Sequence, residues 1–486
     1  MSIRPSGTLR GRVDLTAGDD TLTNAGTFEA AGTSQFGAGA DLLVNSGTLR
    51  VQGPVTFAGL ESLANGGLID LRDGATDGVL TLPGSYVGTG SAALGVDVGP
   101  GTASDRLVIG GAAVGSTAVW VAGPGAFIEG AVVVDAGAGS SAGAFTLATP
   151  TAGFADYALV FDAAANDFAL YGTPSTTALG AGMLTAAARE VFYAGNDAVA
   201  VHLGASGGAT DEQPGISRAV WLDGYVLNQE RDLTLDAAPF GQARSYDLGT
   251  DQTTWGVQAG VDLFGGANSV LGLTAGYADS DLDFAATPLA IDYKSANVGA
   301  YGRFGAGGFS LRGLVKYQWF WSDIGDRTIG FAASPSGDGW GGWLEAAYRF
   351  GGERFFVEPA VSIEYANISF DDFDGLGTAF ASEEADGLRG KAGARVGARF
   401  GSGLEAYGKL QAIHEFEGED RLTLTNAGLA PAFDLPSTDT YGRAAIGLAH
   451  RPSDPAQRMS GFIEGTADFG GDVSGFGARA GVAFRF

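Results

Sequence analysis

The last twelve residues, Gly475-Phe476-Gly477-Ala478-Arg479-Ala480-Gly481-Val482-Ala483-Phe484-Arg485-Phe486, alternate along a strand to the final atom. Successive strand side chains point to opposite sides, so Phe476, Ala478, Ala480, Val482, Phe484 and Phe486 share one face, opposite Gly477, Arg479, Gly481, Ala483 and Arg485. One face suits lipid and the other water. A soluble sheet with this alternation needs a second layer to hide its apolar face, whereas lipid is that layer for a membrane barrel.

The same pattern recurs upstream. From Trp221 onward the sequence predicts twelve strands, at 218–229, 253–264, 269–279, 292–304, 309–321, 340–350, 354–366, 388–400, 404–415, 440–450, 459–469 and 473–486. Most are roughly ten residues, enough to cross a bilayer at a tilt. Glycine-rich turns (Gly265-Gly266-Ala267, Gly305-Ala306-Gly307-Gly308, Gly351-Gly352-Glu353 and Gly401-Ser402-Gly403) alternate with long acidic connections such as 367–387 and 416–439. Short turns on one rim and long loops on the other are the outer-membrane asymmetry.

Charges sort by face. In the fifth strand Phe309, Leu311, Val315, Tyr317, Trp319 and Trp321 oppose Arg312 and Lys316; in the eighth, Val396 and Phe400 oppose Arg389, Lys391, Arg395 and Arg399. A cation on the lipid face costs about 2–4 kcal/mol near the midplane, so these must face the lumen. Arg349 and Arg479 join them, and Glu345, Glu358, Glu364, Glu405 and Glu464 alternate as partners, predicting a polar, filled lumen.

Composition agrees. The chain has 486 residues, 81 glycines without a triplet period, no cysteine and 45% hydrophobic residues, which favours a folded, turn-rich β protein and excludes collagen, disulfides and thiolate metal sites. A formal charge of −27 argues against nucleic acid as a partner. The start, Met1-Ser2-Ile3-Arg4, has no charged segment followed by an apolar one, so a truncated or mature form of an exported protein is expected.

The N-terminal part repeats. Asn24-Ala25-Gly26-Thr27-Phe28, Asn45-Ser46-Gly47-Thr48-Leu49 and Asn65-Gly66-Gly67-Leu68-Ile69 recur about every twenty residues, the size of one solenoid rung. A tight corner followed by a short apolar strand is what a parallel β-helix coil needs, and the uncapped first coil implies a solenoid continuing upstream. Gly18-Asp19-Asp20-Thr21-Leu22 suggests a calcium-binding nonapeptide roll, but it occurs once and lacks the nine-residue period.

Together the repeats, the barrel and the intervening residues resemble a monomeric autotransporter of the type V secretion class. The junction resemblance rests on Gly84-Ser85-Tyr86-Val87-Gly88, Ser104-Asp105-Arg106-Leu107-Val108-Ile109, Val132-Val133-Val134-Asp135, Ala144-Phe145-Thr146-Leu147 and Tyr157-Ala158-Leu159-Val160. The barrel resemblance rests on Trp221, Gly339-Trp340-Gly341, Tyr348-Arg349-Phe350, Phe356-Val357-Glu358-Pro359 and Phe486. The resemblance implies an all-β chain: a right-handed parallel β-helix passenger stem over 1–83, an autochaperone-like junction over 84–176, a linker with a pore-plugging helix over 177–215, and a 12-stranded antiparallel transmembrane barrel over 216–486. It also implies an outer-membrane protein, monomeric, that displays its passenger on the cell surface. Periplasmic chaperones and the barrel-assembly machinery are its expected partners, with Val482, Phe484 and Phe486 as the assembly signal. A host or neighbouring-cell ligand for the stem is the adhesin alternative; a passive pore is a third reading.

Met183-Leu184-Thr185-Ala186-Ala187-Ala188-Arg189-Glu190-Val191-Phe192 is the best helix candidate. By resemblance it plugs the pore, with Arg189 expected to meet lumenal carboxylates. Some family members cut themselves at an asparagine pair in this helix; here Asn196 precedes Asp197, so the pair is missing. No catalytic, cofactor or metal set is apparent: G-x-S-x-G is missing, His202, His414 and His450 suit lumen or rim contacts, and Asp371-Asp372 and Glu383-Glu384 read as solvated loop acids. A β-helix polysaccharide lyase is the enzymatic alternative, without basic catalytic residues in this Arg-poor segment.

Overall fold

The computed structural model describes residues 1–123, 125–205, 218–265, 269–352, 354–382, 385–401, 403–451 and 458–486. Glu383-Glu384 and parts of the turns at 265–267, 351–353 and 401–403 lie outside the described residues, as does the 215/216 boundary.

Among the described residues, twelve strands pair antiparallel in chain order: Ala219–Arg231, Thr250–Gly265, Ser269–Phe284, Ala290–Ala306, Phe309–Asp326, Ser336–Tyr348, Phe355–Phe370, Ala385–Phe400, Leu404–Glu417, Tyr441–His450, Met459–Phe469 and Val473–Arg485. The last pairs back on the first, Ala483 opposite Trp221 and Arg479 opposite Tyr225, so the barrel closes. Closure leaves no unpaired edge in lipid. Aliphatic side chains such as Val257, Leu273, Val298, Val315, Val361 and Ile446 form the exposed outer band. Phe264, Phe304, Phe355, Phe400 and Phe484 border it at the short-turn rim, and Trp255, Trp319, Trp321, Trp340 and Phe469 at the long-loop rim. These are the two interfacial girdles of a membrane barrel.

Several strands run to 16–18 residues, longer than the ten or so that the sequence pattern predicts. The reason is a change of solvent along one strand. In Ser269–Phe284 the outward residues Leu271 and Leu273 give way to Asp281 and Asp283, while the inward ones change from Thr274 and Ser280 to Leu282 and Phe284. Beyond the girdle the outside is water, so the strand reverses its polarity and encloses an apolar interior.

The stem is a parallel solenoid. Short strands at Ser2–Ile3, Thr21–Asn24, Leu42–Asn45, Ser62–Asn65, Ser85–Gly88 and Ala113–Gly115 stack in register to form one wall. Leu22, Leu43, Leu63 and Tyr86 align inside it, and Phe28, Leu49, Ile69, Leu94 and Val119 align behind a second wall. The repeated motif now has a physical account. Asn24 donates to Asn45 at 2.7 Å, Asn45 to Asn65 at 2.8 Å, and Asn65 to the Tyr86 hydroxyl at 3.1 Å, a buried polar ladder. The glycine of each repeat is a close approach: a Cβ on Gly47 would lie 2.1 Å from the Gly26 carbonyl oxygen, and one on Gly67 2.2 Å from that of Gly47. Parallel stacking continues through Phe145–Leu147, so the expected 83/84 border falls within an unbroken ladder. The antiparallel pair Ala155–Asp162 and Asp167–Pro174 then closes the stack against Ile128–Ala136.

The long connections differ from the expected solvated loops. Phe373–Gly375, Thr378–Ser382, Asp420–Asn426 and Ala432–Leu435 form a four-stranded antiparallel sheet at the barrel mouth, because their alternate apolar residues share the interior opened by the outer strand ends. Asp371 and Asp372 remain exposed.

Candidate functional site in the barrel lumen

Two helices lead from the stem into the barrel. Ser175 caps the first, α1 (Thr176–Ala181), by accepting from the Ala178 N–H; Gly182 ends it, and α2 (Leu184–Ala205) runs down the lumen. Gly195 does not break α2. A Cβ there would sit 2.8 Å from Lys316 Nζ, so the glycine lets the barrel wall approach the helix.

The two sides of α2 differ. Val199 and Leu203 pack on Trp221, Tyr301, Leu314 and Trp343, and Ala194 and Ala198 on Tyr225. His202 stacks on Trp221 at 4.4 Å between ring centroids, with Nε2 3.2 Å from Asp262. The remaining surface is ionic. Glu190 meets Arg389 and Arg231, and Asp197 lies 2.8 Å from both Lys391 and Arg443 and 4.0 Å from Arg479. Arg443 also binds Asp468 at 2.5 Å.

The residues singled out in the sequence line this interior. Arg312 bridges Glu345 at 2.9 Å and Glu358 at 2.8 Å, and Arg349 shares Glu358 at 2.6 Å. Arg389 binds Glu415 at 2.7 Å, Lys391 binds Glu364 at 2.9 Å, and Glu405 holds Arg395 at 2.6 Å and Arg399 at 3.1 Å. Glu464 accepts from the Tyr407 hydroxyl at 2.9 Å and lies 3.7 Å from Arg479. Lys316 donates to the Phe192 carbonyl at 2.6 Å. Asn196 is buried with its amide 3.5 Å from Glu364. Val482, Phe484 and Phe486 face outward at the short-turn rim. His414 is a rim contact, 2.8 Å from Thr440.

Arg189 departs from expectation. It lies against Gly387 of the wall, but its charge pairs with Asp420 and the Gly418 carbonyl, on the folded connection over the mouth. Sequence reasoning missed Glu190, Asp197, Arg443 and Asp468. A signal existed for the first two: seven residues apart, they fall on one helix face two turns from each other. Among the described residues no group of three or more acidic or histidine side chains is placed to hold a metal ion. An interior of paired charges around a helix can hold a polypeptide in a pore by ion pairs.

Residues 239–459 match the family model described as the autotransporter beta-domain. No curated protein matches. Among solved structures, the translocator domain of the autotransporter NalP from Neisseria meningitidis is 16% identical, covering 63% of this chain and 99% of its own, with a TM-score of 0.48. The transport unit of the autotransporter AIDA-I from Escherichia coli is 16% identical, covering 60% and 98%, with a TM-score of 0.46. The β-domain of the Bordetella autotransporter BrkA is 17% identical, covering 55% and 98%, with a TM-score of 0.40. Residues 239–459 thus carry the autotransporter beta-domain, and the barrel they belong to is an outer-membrane translocator that exports a passenger.

Proposed function

We propose that, in this autotransporter translocator, the described conformation is the finished state of export, with the stem displayed outside and the pore helix retained behind it. One observation carries the reading. The stem lies at the long-loop rim, the first barrel strand starts at the short-turn rim, and α2 threads the lumen between them. A chain connected this way has passed through its own barrel. Stem folding outside, rung upon rung through the Asn24–Asn45–Asn65 ladder, would resist return, since the folded solenoid is wider than an extended chain.

The domain roles follow. Residues 1–83 are the displayed stem, 84–176 the junction that folds first and templates it, 177–215 the linker and pore helix, and 216–486 the translocator. The lumenal set Arg312, Lys316, Glu345, Arg349, Glu358, Arg389, Lys391, Arg395, Arg399, Glu405, Glu464 and Arg479 gives the passing chain a polar wall and α2 its anchorage. Val482, Phe484 and Phe486 are the signal read by the barrel-assembly machinery, and the chain has no catalytic role of its own. With Asn196 followed by Asp197, the passenger stays joined.

An N-terminal epitope on intact Gram-negative cells, with a signal peptide placed before Met1, tests export: an exposed, protease-sensitive tag above a protected barrel is expected. A tag reached only after lysis would overturn it. Deleting Phe486 should lower the outer-membrane level of the barrel, and unchanged levels would remove the assembly-signal role.

A further inference from the structure

Among the described residues, the lumen is ionic along one side of α2 toward the short-turn rim and apolar around its outer end. Along the lower lumen, polar atoms outnumber partners: Arg349 Nη1 and Nη2, Arg395 Nε, Arg479 Nη1 and both carboxylate oxygens of Asp223 are buried without a hydrogen-bond partner in the protein. Such groups require water. A cavity of about 80 Å³ lies beside them, lined by Asp197, Arg395, Lys409, Arg443, Glu464 and Arg479, with room for several waters. Side-chain exposure rises toward the short-turn rim, from 4% for Lys391 to 13% for Arg395 and 32% for Arg399, and Asp197, midway along α2, keeps 19%. Solvent therefore reaches the middle of the helix.

The outer end is the opposite. Leu282, Phe284, Ile291, Phe320, Ile368 and Leu422 face inward there with exposures of 0–7%, in one continuous core with α1 and the junction. Contacts across this level are close. Phe154 of the junction packs edge-on to Phe331 at 4.8 Å and Phe380 at 5.1 Å. Asn426 donates to the Gly125 carbonyl and accepts from the Phe127 N–H, both at 3.2 Å. Arg244 pairs with Asp156. A dry apolar layer excludes ions because entering it strips their hydration, whereas paired charges around a wetted cavity do not.

We propose that this apolar collar, capped by the junction, is the water and ion seal of the barrel, and that α2 anchors the chain in a lumen open to the periplasm as far as Asp197. The folded junction thus closes the pore it has left. This rests on the export reading only for which rim faces the periplasm.

The chain has no cysteine, so single cysteines report access in the full-length protein. Thr466→Cys lines the cavity, Phe320→Cys and Ile291→Cys lie in the collar, and Arg50→Cys on the exposed stem is the outside control. A membrane-impermeant maleimide is applied to intact cells and then to cells with a permeabilised outer membrane. Expected is labelling of Thr466→Cys only after permeabilisation, and of neither collar cysteine under either condition. Combining Phe154→Ala and Asn426→Ala with Thr466→Cys should raise labelling on intact cells from background toward the level seen after permeabilisation, because opening the collar exposes the cavity. Labelling of Thr466→Cys on intact cells with the cap unaltered, or no labelling of it from either side, would overturn the proposal. If the first result comes with the stem control reached only after permeabilisation, the fault lies in the orientation; with the stem control labelled outside, it lies in the seal.

Discussion

Stem and barrel both wrap β strands around an interior, with opposite polarity. The stem buries Phe28, Phe57 and Leu63 inside and shows Arg10, Glu29 and Arg50 to water; the barrel shows Val315, Val361 and Ile446 outside and buries Arg389, Lys391 and Arg443. Alternation is common to both, so the pleat does not choose a side. The surrounding medium does, and the outer strand ends demonstrate it within single strands: where lipid ends, Asp281 and Asp283 turn out and Leu282 and Phe284 turn in. Filling also differs. The stem interior is packed by its own side chains, while the barrel interior is completed by a separate helix held through ions.

The strongest way to break this comparison is to remove filling from each interior. Phe57→Ala in the stem should destabilise it by about 3–5 kcal/mol, through lost burial and a residual cavity, leaving the barrel's heat-modifiable gel mobility unchanged. A similar loss, about 3–5 kcal/mol, is expected for Arg389→Ala in the barrel, because Glu190 and Glu415 are left buried beside an absent cation. Urea or heat titration in detergent reads it. A loss as small as that of a surface pair would mean the lumen is wetter around α2 than its burial indicates.

Next comes a swap of medium. Val361→Arg on the lipid face should cost about 2–4 kcal/mol in refolding into bilayers, whereas Val114→Arg on the exposed face of the solenoid should stay within about 0.5 kcal/mol. Equal effects would deny that one face meets lipid.

The smallest effect is a pH dependence confined to the solenoid, at the junction end. Asp105 is fully buried, and burial raises its carboxyl to about 6 even though it accepts from the Gly78 and Asp97 N–H groups. The folded state therefore holds the proton more tightly than the unfolded one. Its contribution is complete at pH below the unfolded value near 4 and is lost as pH rises through about 6, on the order of 1 kcal/mol. Asp105→Asn should flatten the solenoid's melting temperature over that window, with no change in the barrel; a slope persisting in the variant would assign it to other groups.

How much was legible in the sequence differs between the two regions for a physical reason. All twelve barrel strands could be read, because a period-two pattern is local and recurs within each strand. The repeat length of the stem could be read too, but not the use of Asn24, Asn45 and Asn65 as a buried ladder, since a turn asparagine and a stacked one look alike in one dimension. The length of the strands was underestimated because Ser280-Asp281-Leu282-Asp283-Phe284 keeps the alternation while reversing its sense. Arg189 illustrates the limit: its charge was visible, but its partner Asp420 lies 231 residues away on a connection that reads as solvated.

The sequence by itself determined the strand count, the faces, the repeat and the presence of a helix, all set by short-range patterns, the longest of them the stem's repeat of about twenty residues. Only the tertiary structure decided that Asp197 gathers Lys391, Arg443 and Arg479, that two long connections fold into a sheet, and that the junction packs on the mouth. Those features depend on the register at which the barrel closes and on where α2 enters it. Closure is a property of all twelve strands together, so no local pattern encodes it.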